Sequence, residues 1–178
     1  MIWGDNLNEK ISGNLIIIGG AEDKRGKKEI LKKVAEYINT KEDKMLIATI
    51  ATEYPEKTYD DYKNIFIKLG IKNIDKLDIS KREDAFNDKN INLIKTTNLL
   101  FFTGGDQLRI TSMIGGTPIY NVIKELCSNG GVIAGTSAGA SVMSDTMIVE
   151  GEDDESPHKC TLKMSPGLGL VKNIIIDQ

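Results

Sequence analysis

With 178 residues, 40% of them hydrophobic and 28% charged, the chain has the balance of a soluble globular protein and not of a disordered one. Its 23 basic and 26 acidic side chains leave a net charge of -3, which offers no general field to nucleic acid or to an anionic membrane. No apolar run approaches the roughly 18 residues of a membrane span, and the amino terminus lacks a basic region followed by an apolar one, so a cytoplasmic protein is expected.

Taken in chain order, Leu15 to Ile18 is a wholly apolar, β-branched run closed by Gly19-Gly20, the pattern of a strand buried on both faces. The basic run Lys24 to Lys28 stands beside Glu22, Asp23 and Glu29 and reads as a solvated helix start. Ile30, Leu31, Val34, Tyr37 and Ile38 follow at helical spacing, then Met45 to Ile50 as a second buried strand. Tyr59, Tyr62, Ile65, Phe66 and Leu69 mark an amphipathic helix, with Gly70 where a C-cap belongs. Strands are expected at Ile74 to Ile79, alternating in polarity and so nearer an edge, and at Leu99 to Phe102. Helices are expected over Leu108 to Met113 and Pro118 to Ser128, the second opened by the N-cap pair Thr117-Pro118. Val132 to Ala134 is the next strand, and Ala138 to Met143 can continue as a helix. Met147 to Val149, Thr161 to Met164 and Asn173 to Ile176 look like further strands, separated by an acidic loop containing His158 and by the Gly-rich "SPGLGL". Short apolar strands alternating with helices imply an α/β fold with a mostly parallel sheet covered on both faces. No repeat or linker divides the sequence, so residues 1–178 are read as one domain.

Gly135-Thr136-Ser137-Ala138-Gly139 fits G-x-S-x-G, the elbow that holds a serine on a strained strand-to-helix turn. Side chains at Gly135 and Gly139 would collide in so sharp a turn, and the first helical N–H groups face developing negative charge. The strand Leu99 to Phe102 likewise ends in "TGGDQ", which puts Gly104 and Gly105 at the carboxyl edge of the sheet, where open α/β sheets bind ligands. The N–H groups of Gly105 and Ala138 are the candidate oxyanion hole. "GGAED" after the first strand is no phosphate loop, since Glu22 and Asp23 would repel phosphate, and it reads as structural. Cys127 and Cys160 lack metal-ligand spacing and there is one histidine, so neither metal nor organic cofactor is expected.

The segments "NLIIIGGAEDK", "FFTGGDQLRITSMIGGTP", "VIAGTSAGASVMSDTMIVEG" and "MSPGLGLVKNIIIDQ" resemble cyanophycinase, a serine exopeptidase family related to dipeptidase E. The resemblance spans Gly13 to Gln178. It implies a flavodoxin-like fold of the class I glutamine amidotransferase type, with Ser137 as nucleophile, Gln107 contacting substrate, and Asp177 and Gln178 lining the pocket. The implied substrate is cyanophycin, an aspartate backbone with arginine on each side chain, released as β-Asp-Arg dipeptides. A carboxylate such as Asp177 suits its guanidinium groups. The sister activity, an aspartyl dipeptidase of the dipeptidase E type, is disfavoured by Asp106-Gln107, where that family has Asn-Thr.

In cyanophycinases the catalytic histidine directly follows Asp-Gln, whereas this sequence stops at Gln178. His158, in a polar acidic stretch, is read as a loop residue and not as the base. The expectation is therefore the amino-terminal two-thirds of such an enzyme, lacking its carboxyl-terminal part and inactive alone; a non-catalytic binding module is the competing class. A homodimer is the assembly left open.

Overall fold

The computed structural model describes residues 12–150 and 163–177. Its elements are β1 (Asn14–Ile18), α1 (Glu29–Ala35), β2 (Lys44–Ala48), α2 (Pro55–Lys68), β3 (Asn73–Leu77), a 3-10 turn (Arg82–Phe86), α3 (Asp88–Lys95), β4 (Leu99–Phe102), α4 (Gln107–Ile114), α5 (Pro118–Ser128), β5 (Val132–Thr136), α6 (Ala138–Ser141), β6 (Thr146–Glu150) and β7 (Lys163–Pro166). The first five strands form one parallel sheet in the order β1-β5-β4-β2-β3, and β6 and β7 form an antiparallel pair. The α/β architecture expected from the alternation of strands and helices is what forms. Among the described residues, no helix is long and apolar enough to cross a membrane.

The strand order decides which face each helix covers. Steps from β1 to β2 and from β2 to β3 run one way across the sheet, while those from β3 to β4 and from β4 to β5 run back. Right-handed crossovers then send α1 and α2 to one face and α3, α4 and α5 to the other. The core divides accordingly, because successive strand residues point to opposite faces. Met45, Ile47, Leu99 and Phe101 pack with Leu31, Val34, Tyr62 and Phe66, whereas Leu46, Ala48, Leu100 and Phe102 pack with Ile94, Ile110 and Ile123. On the first face Phe101 meets Tyr62 and Phe66 at ring-centroid distances of 5.0 and 5.4 Å.

Local signals account for most boundaries. After α2, Gly70 takes φ 100°, its N–H donates to Ile67 O at 2.9 Å and that of Ile71 to Phe66 O at 3.0 Å, a Schellman ending. Thr117 caps α5 through the Tyr120 N–H, and Asn87 caps α3 through the Lys89 N–H.

Three expectations need correction. β1 is not buried on both faces: it pairs with β5 at the sheet edge and leaves Ile17 47% exposed. α1 stops at Ala35; Ile30 and Tyr37 are exposed, and of the expected stripe Leu31 and Val34 are buried in the core while Ile38 packs against it half-buried. Asn173 to Ile176 is not a strand; Ile174 and Ile175 face outward, and Ile176 is buried through a contact with α6 instead. The sequence pattern predicts no helix where α3 forms.

Candidate active site

A single residue, Ser137, separates the last residue of β5 from the first of α6. It takes φ 55° and ψ -124°, a conformation that a side chain rarely adopts and that persists only when its surroundings hold it. Those surroundings are explicit. The Ser137 N–H donates to Ile18 O on β1 at 2.9 Å, and its carbonyl accepts from Ala140 N at 2.7 Å and Ser141 N at 3.1 Å. The N–H groups of Ala138 and Gly139 precede the first of these helical bonds.

The glycines permit the approach. A Cβ on Gly135 would lie 2.1 Å from Gly139 O, and one on Gly139 would lie 2.4 Å from Phe102 O on β4. The collision expected from the motif is thus the one that forms, with β4 as a third party. Ser137 is also flanked by glycines from two other turns: added Cβ atoms on Gly20, after β1, and on Gly104, after β4, would stand 3.2 and 3.1 Å from its Cβ. Its side chain is only partly exposed and does not cap the helix.

The turn after β4 is pinned to the end of β2. Asp106 N donates to Ala51 O at 2.9 Å, and Gly105, at φ 139°, lies so close that a Cβ would be 2.2 Å from the same oxygen. The Gly105 N–H belongs to the peptide that starts at Gly104, the residue against Ser137. Asp106 caps α4 by accepting from Leu108 N at 2.8 Å, and Gln107 donates from Nε2 to Ile148 O on β6 at 3.0 Å. Gln107 is thereby oriented by the β6–β7 pair, with its amide oxygen and second N–H uncommitted to that bond.

Asp177 is exposed and follows Ile176, whose carbonyl accepts from Ser141 Oγ at 3.0 Å. Ser141 is one helical turn beyond Ser137, so this segment lies against the helix that the serine opens. Residues 167–171 are held there too, since Leu168 N donates to Val142 O and Leu170 N to Met143 O. Gln178, His158 and Cys160 fall outside the described residues; Cys127 is buried, with a free thiol.

The sequence makes Glu22 part of a structural turn, and the structure gives it a more specific place. It is 7% exposed, accepts from the Tyr62 hydroxyl, and accepts from Thr136 Oγ1 at 2.6 Å. Lys24 Nζ stands 3.6 Å away. Burial pushes the carboxyl up, but the hydrogen bonds from Thr136, Tyr62 and its own backbone, with the Lys24 charge, outweigh that and hold it below the ordinary value. Glu22 so ties the turn after β1 and helix α2 to the residue immediately before Ser137. The neighbouring Asp23 carboxylate accepts from the N–H groups of Arg25, Gly26 and Lys28. The N–H of Gly26 foremost, then those of Lys28 and Arg25, hold its carboxyl down at about 2, and the basic run is a loop wrapped on Asp23, with α1 starting after it.

The model of peptidase family S51 matches residues 15–178. A cyanophycinase of Geminocystis herdmanii is 33% identical over 173 residues, covering 97% of this chain and 64% of that protein. A cyanophycinase of Trichormus variabilis is 34% identical over 165 residues, covering 92% and 55%. The chain thus spans roughly half to two-thirds of the length of these relatives. A peptidase from an acI-B1 Actinobacterium superposes with a TM-score of 0.71 at 27% identity, covering 96% of this chain and 70% of that one. A putative peptidase E from Listeria monocytogenes, at TM-score 0.62 and 18% identity, shares the fold. A match that runs from β1 through both glycine turns and the Ser137 elbow to Gln178 makes the chain a member of peptidase family S51.

Proposed function

We infer that this chain is the part of a serine exopeptidase that carries its nucleophile, and that the whole enzyme hydrolyses cyanophycin to β-Asp-Arg dipeptides. The observation that carries the reading is Ser137, held at φ 55° and ψ -124° between Gly20 and Gly104 at the carboxyl edge of the sheet. A serine kept in so costly a backbone conformation, with its hydroxyl off the helix cap, is arranged for attack on a carbonyl.

In this reading Ser137 Oγ adds to a carbonyl carbon of the aspartyl backbone while a histidine accepts its proton. The N–H groups of Gly105 and Ala138 hold the oxygen that becomes negative. Collapse of the adduct returns the proton to the departing amine, and water releases the acyl group by the same steps. Gln107, Asp177 and Gln178 contact the substrate, with Asp177 suited to an arginine guanidinium. Glu22 acts at one remove, fixing Thr136 and so the start of the elbow.

The identity of relatives named cyanophycinase supports this substrate, as does Asp106-Gln107 in the turn beside Ser137. The test is to incubate the full-length protein with cyanophycin and with plain Asp-X dipeptides. Release of β-Asp-Arg is expected. Cleavage of Asp-X dipeptides with cyanophycin untouched replaces this reading by an aspartyl dipeptidase.

A further inference from the structure

Helix α4 carries a guanidinium that meets no partner among the described residues. Arg109, two residues beyond Gln107, is partly buried, and its Nε is buried without a hydrogen bond. Among the described residues no ion pair reaches it. An unpaired charged donor under the surface is costly, and a group that pairs with the rest of the guanidinium from the open side lowers the cost of keeping the charge there. Arg82 makes the contrast: its guanidinium donates to the carbonyls of Ser112 and, at 2.8 Å, Gly115. The carbonyl end of α4 is already served by that residue, so Arg109 has no such task.

Arg109 lines an open cleft of about 800 Å3 together with Asp106, Ser112, Gly116, Tyr120 and Ser165. The cleft begins in the turn whose Gly104 touches Ser137 and runs along α4 to Gly116, where an added Cβ would meet nothing within 4 Å. Among the described residues its walls hold one carboxylate, Asp106, and one guanidinium, Arg109, together with hydroxyls such as those of Ser112 and Tyr120. That pattern complements a zwitterionic unit better than a pure polyanion.

We propose that this cleft is a binding subsite for an arginyl unit of the polymer, distinct from the unit at Ser137, with the free α-carboxylate of that arginine paired to Arg109. The assignment depends on cyanophycin being the substrate: an arginine joined to an aspartate side chain through its α-amine keeps its carboxylate free and its guanidinium available to Asp106.

Binding by full-length protein carrying Ser137→Ala is measured calorimetrically with a soluble three-unit cyanophycin fragment and with that fragment carrying a single carboxamide, placed in turn at each of its three arginine carboxylates. The carboxamide at the unit held by the cleft is expected to bind about tenfold more weakly than the acid form, and Arg109→Gln to weaken the acid form by about the same factor. Arg109→Gln should bind both fragments equally, because each change removes one half of a single pair. Gly116→Asp, which places a carboxylate in the cleft at a left-handed position that Asp tolerates, should weaken the acid form without touching Arg109. Arg109→Gln and Gly116→Asp that keep full affinity, or a carboxamide penalty that persists in Arg109→Gln, overturn the subsite alone. No binding of either fragment by the full-length protein removes the subsite and the cyanophycin reading together.

Discussion

Glu22 illustrates how one side chain serves both folding and the site. Its carboxylate accepts from two hydroxyls, those of Tyr62 and Thr136, each belonging to a residue only 2% exposed. Glu22→Ala leaves both without that acceptor and should cost about 2–4 kcal/mol, read by urea denaturation at pH 7. Glu22→Gln, which can still accept from one hydroxyl and donate to the other, should recover much of the loss. The pH dependence has a definite sign. The folded carboxyl titrates below its ordinary 4.5, so its stabilisation is present above the unfolded value and is lost as pH falls through the folded one. Acid denaturation of Glu22→Gln should therefore be shallower below about pH 4.5. Stability curves of Glu22→Gln and the unchanged chain that run parallel through that range would contradict the network. None of this was readable in "GGAED", because a carboxylate in a loop looks solvated until Tyr62, 40 residues on, and Thr136, 114 residues on, are folded against it.

At the scale of elements, legibility followed apolar patterning. The buried strands β2, β4 and β5 and the capped helices α2 and α5 were visible because apolar runs, a C′ glycine and a Thr-Pro pair write their boundaries locally. Helix α3 was not, since "DKNINLIK" buries Ile94 and an asparagine, Asn90, whose amide donates to the carbonyls of Asp78 and Asp84. Ile174 to Ile176 misled in the other direction, as three β-branched residues suggest a strand wherever no partner strand is known to be absent. The serine elbow was legible because glycine spacing encodes close backbone approach. That approach predicts a graded response: Gly139→Ala drives a methyl group to 2.4 Å from Phe102 O and should cost about 1–3 kcal/mol or more. Gly19→Ala, where a Cβ meets nothing within 4 Å, should be nearly neutral. Thermal melts of the two variants that shift equally would contradict the packing of α6 on β4.

For the whole molecule, the sheet order explains why two turns converge on the serine elbow. Helices leave β1 and β2 toward one face and β4 and β5 toward the other, so crevices open at the carboxyl edge between β1 and β5 and between β2 and β4. Ser137 stands at the first and "TGGDQ" at the second. What this arrangement does not include among its described residues is a base beside Ser137. The reading of His158 as a loop residue predicts that the 178-residue polypeptide, assayed by itself, hydrolyses cyanophycin at less than about a thousandth of the rate of the full-length protein, because losing the base of such a triad costs about as much as losing the serine. Full turnover by the polypeptide, abolished by His158→Ala, would reverse the reading of its one histidine as a loop residue. The central claim is that Ser137 is the nucleophile, and the measurement closest to it is the rate of β-Asp-Arg release from cyanophycin by full-length protein carrying Ser137→Ala. A fall of up to about a million-fold is predicted, with folding unchanged; retention of a tenth or more of the activity would contradict it.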